Sequence, residues 1–523
     1  MPRRSHFPLL GLPFSLLVSA LLAALLAVPF LGTAAQADTP VPIDVDDVVA
    51  RAAAEQALET VQDIVDPTAG TTGPAVADAI SDAELTVALR DLAVTRDDLP
   101  TSLQDDAARL LARPRRDDPV NGIECTPGSP LPCYADGTTE TATCGDGICV
   151  HYVTSSADAP REPGYPGTVL DVMKNVRNRY VDAGYRLPQG DGLNGTKTAV
   201  PNNGVNVFDV YLANLGERGL YGYCTTDTRV SGHITAPAYC VLDNDYAEYG
   251  PVPGPLGNLQ VTAAHEYFHA VQFAYDVNEE GWLLEATATW AEDEVYDDIN
   301  DNRQYLKGGP LRKPAQSMDH RRGIAPYGAW IFFKYLSERF PALNGPAGMP
   351  VIVRDIWETA AGAPDARQAI GAALSARGTD LRTQFAWFSA ANRRPAANYS
   401  EGAAYPRARL WRGVKLSGSR RSFSASTDLD NLASQTVRFR SKVAGRAHLR
   451  VHVDGPSRKR GGYVLVTIRR KGHPPVTQRV KINGKGDKTK RFAFGKKIKW
   501  VEITFANSGK RDGTATVSAS VVR

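Results

Sequence analysis

The sequence predicts an α+β fold whose second half is mainly helical, followed by an all-β, sandwich-like C-terminal region. Apolar residues recur at helical spacing between about residues 44 and 116 and again between about 258 and 392. Beyond residue 416, short alternating runs are separated by glycine-containing turns, which is typical of a β-sandwich. The charge changes there too: residues 412–523 hold 27 Lys and Arg against 6 Asp and Glu, whereas residues 38–411 hold 31 against 51. This split predicts two domains with different tasks.

The N-terminus has the features of a secretory signal peptide. Arg3 and Arg4 precede an apolar stretch from about Phe7 to Leu31, and Ala35-Gln36-Ala37 is a small-x-small cleavage site. An uncleaved anchor helix is the alternative, which three prolines in the stretch disfavour. We therefore expect residues 1–37 to be removed and the mature protein to be secreted. No other stretch approaches the length of a membrane span, so none is expected after cleavage.

Residues 38–120 are predicted to form a helical N-terminal region. The runs VVARAAAEQALETVQDIV and ELTVALRDLAV carry apolar residues at helical spacing. The region ends in a basic cluster, Arg113-Pro114-Arg115-Arg116. A helical segment between a signal peptide and an enzyme, ending in basic residues, is typical of a propeptide. It is equally compatible with a helical part of the mature protein, and the sequence leaves both open.

Six cysteines indicate three disulfides, because an even count is typical of paired cysteines in a chain that leaves the cytoplasm. They are Cys125, Cys133, Cys144, Cys149, Cys224 and Cys240. The last two are expected to pair with each other. The first four allow three connectivities, among which the sequence does not choose. A zinc ribbon is the alternative for these four, but their spacings do not match paired C-x2-C motifs.

The motif that carries chemistry is His265-Glu266-Tyr267-Phe268-His269. Histidines at positions i and i+4 lie on one face of a helix, so both rings can reach one metal ion. Glu266 lies on the adjoining face, where it can accept a proton from a water beside the metal without binding the metal itself. The alternative is an ordinary helix in which both histidines are satisfied by hydrogen bonds.

A third ligand is expected on the next helix, because catalytic zinc takes three protein ligands and keeps one position open. Glu285, in the run WLLEATA, stands sixteen residues after His269. Glu292 competes for this role, since seven residues later it lies on the same helix face. Two turns separate these glutamates by about 10 Å along the axis, so we expect only Glu285 to bind. Glu292 or Asp293 then orients a histidine or faces solvent.

These residues carry a family resemblance. HEYFH followed by WLLEATA resembles the gluzincins, zinc peptidases with an HExxH helix and a glutamate on the next helix. The pattern HEYFHAVQFAYD, WLLEATATWAED and YGAWIFFKYLSERF is closer to a group of uncharacterised secreted bacterial metalloproteases, over about residues 145–345. The resemblance implies a zincin-like catalytic domain within residues 121–400. It implies one catalytic zinc ion, held by His265, His269 and Glu285, with Glu266 as the catalytic base.

The same resemblance implies a donor for the oxyanion from a later helix. Tyr327, in Ala325-Pro326-Tyr327-Gly328, is the candidate; the alternative is a core aromatic residue, and the upstream His320 is a second candidate. The chain lacks the G-x-M-E-N segment with which one aminopeptidase branch holds a substrate N-terminus. Its absence favours an endopeptidase.

The sequence thus predicts a secreted, zinc-dependent endopeptidase that acts on protein or peptide substrates. The alternative is a catalytically inactive zincin scaffold that binds an anionic surface through its basic β-domain; the presence of Glu266 argues against it. Metal-dependent hydrolysis of a different bond is a third hypothesis. Calcium is possible but unsupported: Asp243-Asn244-Asp245 and residues 297–302 are rich in oxygen ligands, yet neither has the EF-hand pattern.

Residues 412–523 are expected to form a separate basic β-domain that binds an anionic cell-surface polymer. Lys and Arg are spread over the whole stretch, and on alternating strands several of them share one solvent face. The alternatives are that these charges only keep the domain soluble, or that they pair with the acidic catalytic domain. Nucleic acid is not expected as a partner, because few aromatic residues are available for base stacking.

Overall fold

The computed structural model of the chain describes residues 45–66, 85–115, 125, 129–190, 207–230, 232–344 and 348–523. The predicted signal peptide lies outside these residues. The chain divides into two units, residues 1–48 and residues 49–523, and the site lies in the second. In the part of the chain that the structure describes, no helix is long and apolar enough to cross a membrane.

The N-terminal region is helical, as its periodicity predicts. Its helices are α1 (Val45–Val65), α2 (Leu85–Thr95) and α3 (Thr101–Leu110). Helix α2 buries Leu85, Leu89 and Leu92 completely, at the spacing of one helix face. Arg113 follows α3, is 1% exposed and pairs with Asp209 and Asp227. These ion pairs fix the end of the N-terminal region against the residues that follow it in the chain.

This part contains a mixed five-stranded sheet, which packs against helices. Its strands are β1 (Glu140–Gly145), β2 (Ile148–Val153), β3 (Phe208–Ala213), β4 (Gly222–Thr225) and β5 (Tyr239–Asp243). The strand order is β1-β2-β3-β5-β4. Strands β2, β3 and β5 are parallel, whereas β1 and β4 run antiparallel at the two edges. The crossover from β2 to β3 contains helix α4 (Tyr165–Asp182).

All six cysteines form disulfides. Cys224 pairs with Cys240 and joins β4 to β5, which confirms the predicted pair. The other two bonds join Cys125 to Cys133 and Cys144 to Cys149, and the second closes the β1–β2 hairpin. Three disulfides are consistent with a protein that folds in an oxidising compartment.

A set of helices follows the sheet and confirms a mainly helical second half. They are α5 (Pro255–Phe273), α6 (Gly281–Val295), α7 (Ala325–Gly328), α8 (Trp330–Arg339), α9 (Val351–Ala360), α10 (Ala366–Ser375) and α11 (Leu381–Ala391). A two-stranded ribbon, β6 (Leu343–Asn344) and β7 (Met349–Pro350), lies between α8 and α9. Helices α5 and α6 are buried on nearly every side, because other elements of this part surround them.

The apolar stretch from Ala325 to Arg339 forms two helices, because the first ends at Gly328 and the second begins at Trp330. Gly328 lies against the backbone of an earlier loop: a Cβ there would come within 2.4 Å of the Gly309 nitrogen. Only glycine allows this approach, which holds α7 close to the loop. Tyr327 precedes this glycine and is turned towards α5, as the geometry of the site shows.

The C-terminal part is mostly β. Its strands are β8 (Arg412–Leu416), β9 (Ser422–Leu429), β10 (Ala433–Ser441), β11 (His448–Asp454), β12 (Gly462–Arg470), β13 (Val476–Val480), β14 (Asp487–Ala493), β15 (Ile498–Asn507) and β16 (Gly513–Val522). They form two sheets, in the orders β13-β12-β15-β10-β8 and β14-β11-β16-β9. Buried residues such as Val437, Ile503 and Val517 come from both sheets and form one core between them.

Candidate metal centre

Helices α5 and α6 bring the predicted ligands together at one buried point. Helix α5 supplies His265 and His269, one turn apart, and α6 supplies Glu285. The Glu285 Oε2 atom lies 3.2 Å from Nε2 of His265 and 3.6 Å from Nε2 of His269. The three side chains are 0–9% exposed. The structure therefore places the three predicted ligands around a common space.

Hydrogen bonds orient both imidazole rings so that the same nitrogen faces this space. Glu292 accepts from Nδ1 of His265 at 2.6 Å, and Gln272 Oε1 accepts from Nδ1 of His269 at 2.8 Å. The Gln272 amide is itself fixed, because its NH2 group donates to Leu284 O and to the Thr287 hydroxyl. With both Nδ1 atoms acting as donors, each Nε2 atom is left with a lone pair.

This arrangement fits a metal ion better than it fits hydrogen bonds alone. Among the described side chains, buried His269 Nε2 and Glu285 Oε1 have no hydrogen-bond partner. Zinc bound at about 2.0–2.1 Å sets neighbouring tetrahedral ligand atoms about 3.3–3.4 Å apart. The observed separations of 3.2 and 3.6 Å bracket that value. Two nitrogens and one carboxylate are also the donor set of a catalytic zinc site.

The electrostatics of the pocket favour a positive charge at this point. Burial alone would raise the pKa of Glu285, but the adjacent His269 and His265 bring it down to about 2. Burial would likewise lower the pKa of His265, but hydrogen bonds to Glu285 and Glu292 raise it well above 6.5. The pocket therefore attracts either protons or a cation.

Glu266 lies beside the two histidines and is 7% exposed. Burial raises its pKa, against the opposing effect of His265 and His269. Its Oε2 atom accepts a hydrogen bond of 2.9 Å from the hydroxyl of Thr86 on α2. Gly222 on β4 allows the close approach that places this part of α5 beside the edge strand, because a Cβ there would come within 2.8 Å of Thr262 Cγ2.

Thr86 also forms a hydrogen bond with the edge strand of the sheet. Its hydroxyl oxygen accepts the backbone N–H of Cys224 at 3.0 Å. This strand, β4, is an edge strand that pairs with β5 on one side only. The hydroxyl of this one threonine therefore accepts a hydrogen bond from a backbone amide of the edge strand and donates one to the carboxylate of Glu266. Sequence reasoning missed it, because Thr86 stands 180 residues before Glu266 and belongs to no motif.

Tyr327 lies against the site, as its interpretation as an oxyanion donor requires. Its ring stacks on His265 with centroids 5.6 Å apart and an angle of 5° between the planes. Burial, the charge of Glu285 and a hydrogen bond to Glu285 hold the pKa of Tyr327 well above 10. The phenol therefore keeps its proton and can donate. His320, the second candidate, is not among the residues that line the cavities at the site.

Two cavities flank the three ligands. One, of about 230 Å³, is lined by His265, Glu266 and Tyr327. The other, of about 240 Å³, is lined by Glu285, by the start of α6, and by residues of α2 such as Val87. The two have no lining residue in common.

The neighbouring acidic residues have partners other than a metal. Asp293 is buried and pairs with Lys334 on α8 at 2.6 Å, so Glu292 alone orients a histidine. Asp243 accepts four backbone N–H groups, and Arg161 pairs with Asp245. These bonds organise a polar turn. Carboxylate oxygens of Asp243, Asp245 and Glu248 lie within 4.8 Å of one another there, but exposed acidic groups are common without a metal ion, so calcium stays unsupported.

Comparisons with known proteins add no family to this picture. No family model matches the chain, and no curated protein matches it. Among solved structures, similarities include the pre-peptidase C-terminal domain of a Bacillus anthracis collagenase, at 13% identity and a TM-score of 0.16. It covers 21% of this chain and 93% of that one. A periplasmic lysozyme inhibitor mutant from Escherichia coli matches at 12% identity and a TM-score of 0.14, covering 21% and 97%. Scores this low carry no conclusion about fold or activity.

Proposed function

We propose that the protein is a secreted, gluzincin-type zinc endopeptidase with a zincin-like catalytic domain. The observation that supports this best is the convergence of His265, His269 and Glu285, with two oriented Nε2 lone pairs beside a carboxylate. A buried glutamate and a protonated tyrosine lie next to these ligands, in a cavity large enough to admit part of a peptide. These are the components of metal-assisted hydrolysis.

Each of these residues has a separate role in the proposed mechanism. His265, His269 and Glu285 would hold the zinc ion, which would supply a Lewis acid for a water and for the substrate carbonyl. Glu266 accepts the proton of that water, because burial makes its carboxylate a stronger base, and then passes the proton to the leaving amine. Tyr327 keeps its proton and donates a hydrogen bond from its hydroxyl to the carbonyl oxygen as negative charge develops there. Glu292 and Gln272 keep the two histidine rings in place.

The N-terminal helices suggest how this site is regulated. We propose that α2 holds the enzyme latent, which gives residues 38–120 the role of a propeptide. An extended substrate can pair with β4 only where backbone N–H groups are free. Thr86 blocks one of these groups, at Cys224, and binds the base Glu266 with the same hydroxyl. Arg90 fixes the helix by donating to Val277 O and Glu279 O, both at 2.7 Å.

Two partners follow from this proposal. The first is a protein or peptide substrate, which would lie along β4 once α2 has moved. The second is an anionic polymer, held by the basic C-terminal sheets while the catalytic part acts.

A protease assay on the purified protein, together with its metal content, tests the proposal. We expect about one zinc ion per chain and, after removal of residues 38–120, cleavage of a denatured protein substrate that a chelator abolishes and added zinc restores. His265→Ala should lose both zinc and activity, whereas the exposed His233→Ala should lose neither. Zinc bound without any cleavage, before and after removal of residues 38–120, would instead favour the inactive scaffold.

A further inference from the structure

The outer face of the five-stranded C-terminal sheet is only half covered. Helix α11 packs on β12 and β15 over Tyr463, Leu465 and Ala506, which belong to the core of the helical part. The other half of this face, around Trp500, stays open and forms the floor of a groove of about 1160 Å³. Pockets for small ligands measure roughly 300–1,000 Å³, so the groove has room for an extended one.

Most of the residues that line the groove are positively charged. Eleven of its nineteen lining residues are Lys or Arg, and none is Asp or Glu. Among the residues that the structure describes, ion pairs of these cations are confined to Arg393, Arg394 and Arg438, all with Glu502. The cations that line the groove without a carboxylate are Arg407, Lys415, Arg440, Lys442, Arg469, Lys471, Lys496 and Lys499. The acidic residues of the catalytic part therefore do not neutralise the groove.

Glu502 fixes the positions of three arginines that line this groove. Its carboxylate is 1% exposed and lies 2.6 Å from Arg438, 3.0 Å from Arg394 and 3.3 Å from Arg393. The Arg438 and Arg394 guanidinium groups also lie 4.8 and 5.9 Å from the centre of the Trp500 ring. One buried negative charge thus holds three cations in defined positions, while the lysines of the rim remain exposed. A face that served only solubility would need no such arrangement.

We infer that this groove is the binding site for a linear polyanion with carboxylate, sulfate or phosphate groups on a sugar or polyol backbone. A groove that sums the fields of many cations attracts a polymer with regularly spaced anions. Single-stranded nucleic acid would instead need aromatic faces for its bases. Trp500 is the aromatic residue that lines this groove, and the two arginines already lie against it.

The groove also needs both parts of the molecule. Arg393, Arg394 and Arg407 follow α11, whereas the remaining cations stand on the C-terminal strands and turns. Residues 412–523 alone would lack one wall. The intact chain should therefore bind the polymer more tightly than this fragment does. This inference does not depend on peptidase activity, since the groove shares no residue with the metal centre.

The test compares two triple variants of the full chain for binding to heparin, a linear sulfated polysaccharide, across a salt series. The groove variant carries Lys415→Ser, Arg440→Ser and Lys499→Ser. The control carries Arg450→Ser, Lys488→Ser and Arg491→Ser, exposed cations on the other sheet. Both lose three charges. Each lost contact lowers the slope of log affinity against log salt, by about 0.9 for B-DNA and about 0.7 for single-stranded nucleic acid, and we expect a similar value for heparin. The groove variant should therefore lose about 2–3 units of slope and at least about tenfold in affinity, and the control much less.

Equal losses in the two variants would overturn the groove as a site and leave a diffuse basic surface. Absence of binding at low salt would also overturn it. Tighter binding of single-stranded oligothymidylate than of heparin, lost in the groove variant, would show that the ligand is a nucleic acid and not a polysaccharide. Thermal unfolding of both variants controls for folding.

Discussion

The metal centre and the C-terminal groove use charge in opposite ways. At the metal centre the charged residues are buried, and each lies against a defined partner: Glu292 on one ring nitrogen of His265, Glu285 on the other. In the groove many cations are exposed around a single buried carboxylate, Glu502. Buried charges interact strongly and hardly feel salt, whereas exposed charges are screened within about 10 Å at 0.1 M salt. A single substitution should therefore abolish function at the candidate metal centre. Binding at the groove should instead depend on many cations together.

The largest effect is expected for Glu266→Gln. The amide cannot accept a proton, so kcat should fall by about 10²–10⁴-fold. Zinc content and the thermal unfolding midpoint should stay unchanged, since Glu266 is not among the three ligands. The exposed Glu217→Gln is the matched control and should behave like the wild type. Activity close to the wild type in Glu266→Gln would show that another group is the base.

The second prediction separates the two glutamates of α6. Glu285→Ala removes a carboxylate that faces both Nε2 atoms, whereas Glu292→Ala removes only the partner of one Nδ1 atom. Loss of an orienting group typically costs 10–100-fold in metal affinity. Glu292→Ala should therefore lower the metal affinity by about that factor, and Glu285→Ala should lower it by more. Competition with a chromophoric chelator measures both. If Glu292→Ala empties the site and Glu285→Ala does not, the ligand has been assigned to the wrong residue.

The third prediction concerns Glu502, the buried carboxylate that pairs with three arginines of the groove. Glu502→Gln leaves three arginines, two of them 7% and 19% exposed in their side chains, without their counter-charge. Removing one partner of a buried ion pair costs about 3–5 kcal/mol. The free energy of unfolding should fall by that amount, while zinc affinity stays unchanged. Asp454→Asn, an exposed strand carboxylate, should have almost no effect. Equal stability of the two variants would mean that Glu502 does not organise the groove.

The smallest expected effect is also the most informative about latency. Thr86→Ala removes two hydrogen bonds that hold α2 on the site, together about 1–3 kcal/mol. If α2 blocks the substrate, kcat/KM of the full chain should rise, roughly tenfold. Thr95→Ala, at the other end of the same helix, should leave kcat/KM unchanged, because its hydroxyl bonds only to Asp91 O.

A fall in kcat/KM for Thr86→Ala would contradict the latency proposal, because it would mean that Thr86 orients the base. A labelled hydroxamate, which binds catalytic zinc without being cleaved, gives a second measurement. Its affinity should rise in Thr86→Ala even if no peptide is cleaved. The regulation and the peptidase activity can therefore fail separately.

Much of this protein could be predicted from local patterns. The spacing of His265 and His269 placed them on one helix face, because an α-helix brings residues i and i+4 together whatever surrounds it. Alternation and the change of charge located the C-terminal β part for a similar reason. Cys224 and Cys240 stand on neighbouring strands separated by a short connection, so their pairing too is a local property.

The tertiary structure decided how distant segments meet. Glu285 and Glu292 share a helix face in the sequence, but only the packing of α6 on α5 sets each against a different nitrogen of His265. Thr86 reaches Glu266 from 180 residues away, and Arg393 reaches Glu502 from 109. Periodicity fixes which face of an element is buried, but the crossing and contact of two elements depend on packing along the whole chain. The candidate metal ligands could therefore be named from the sequence, whereas the contact of α2 with Glu266 and the C-terminal groove could not.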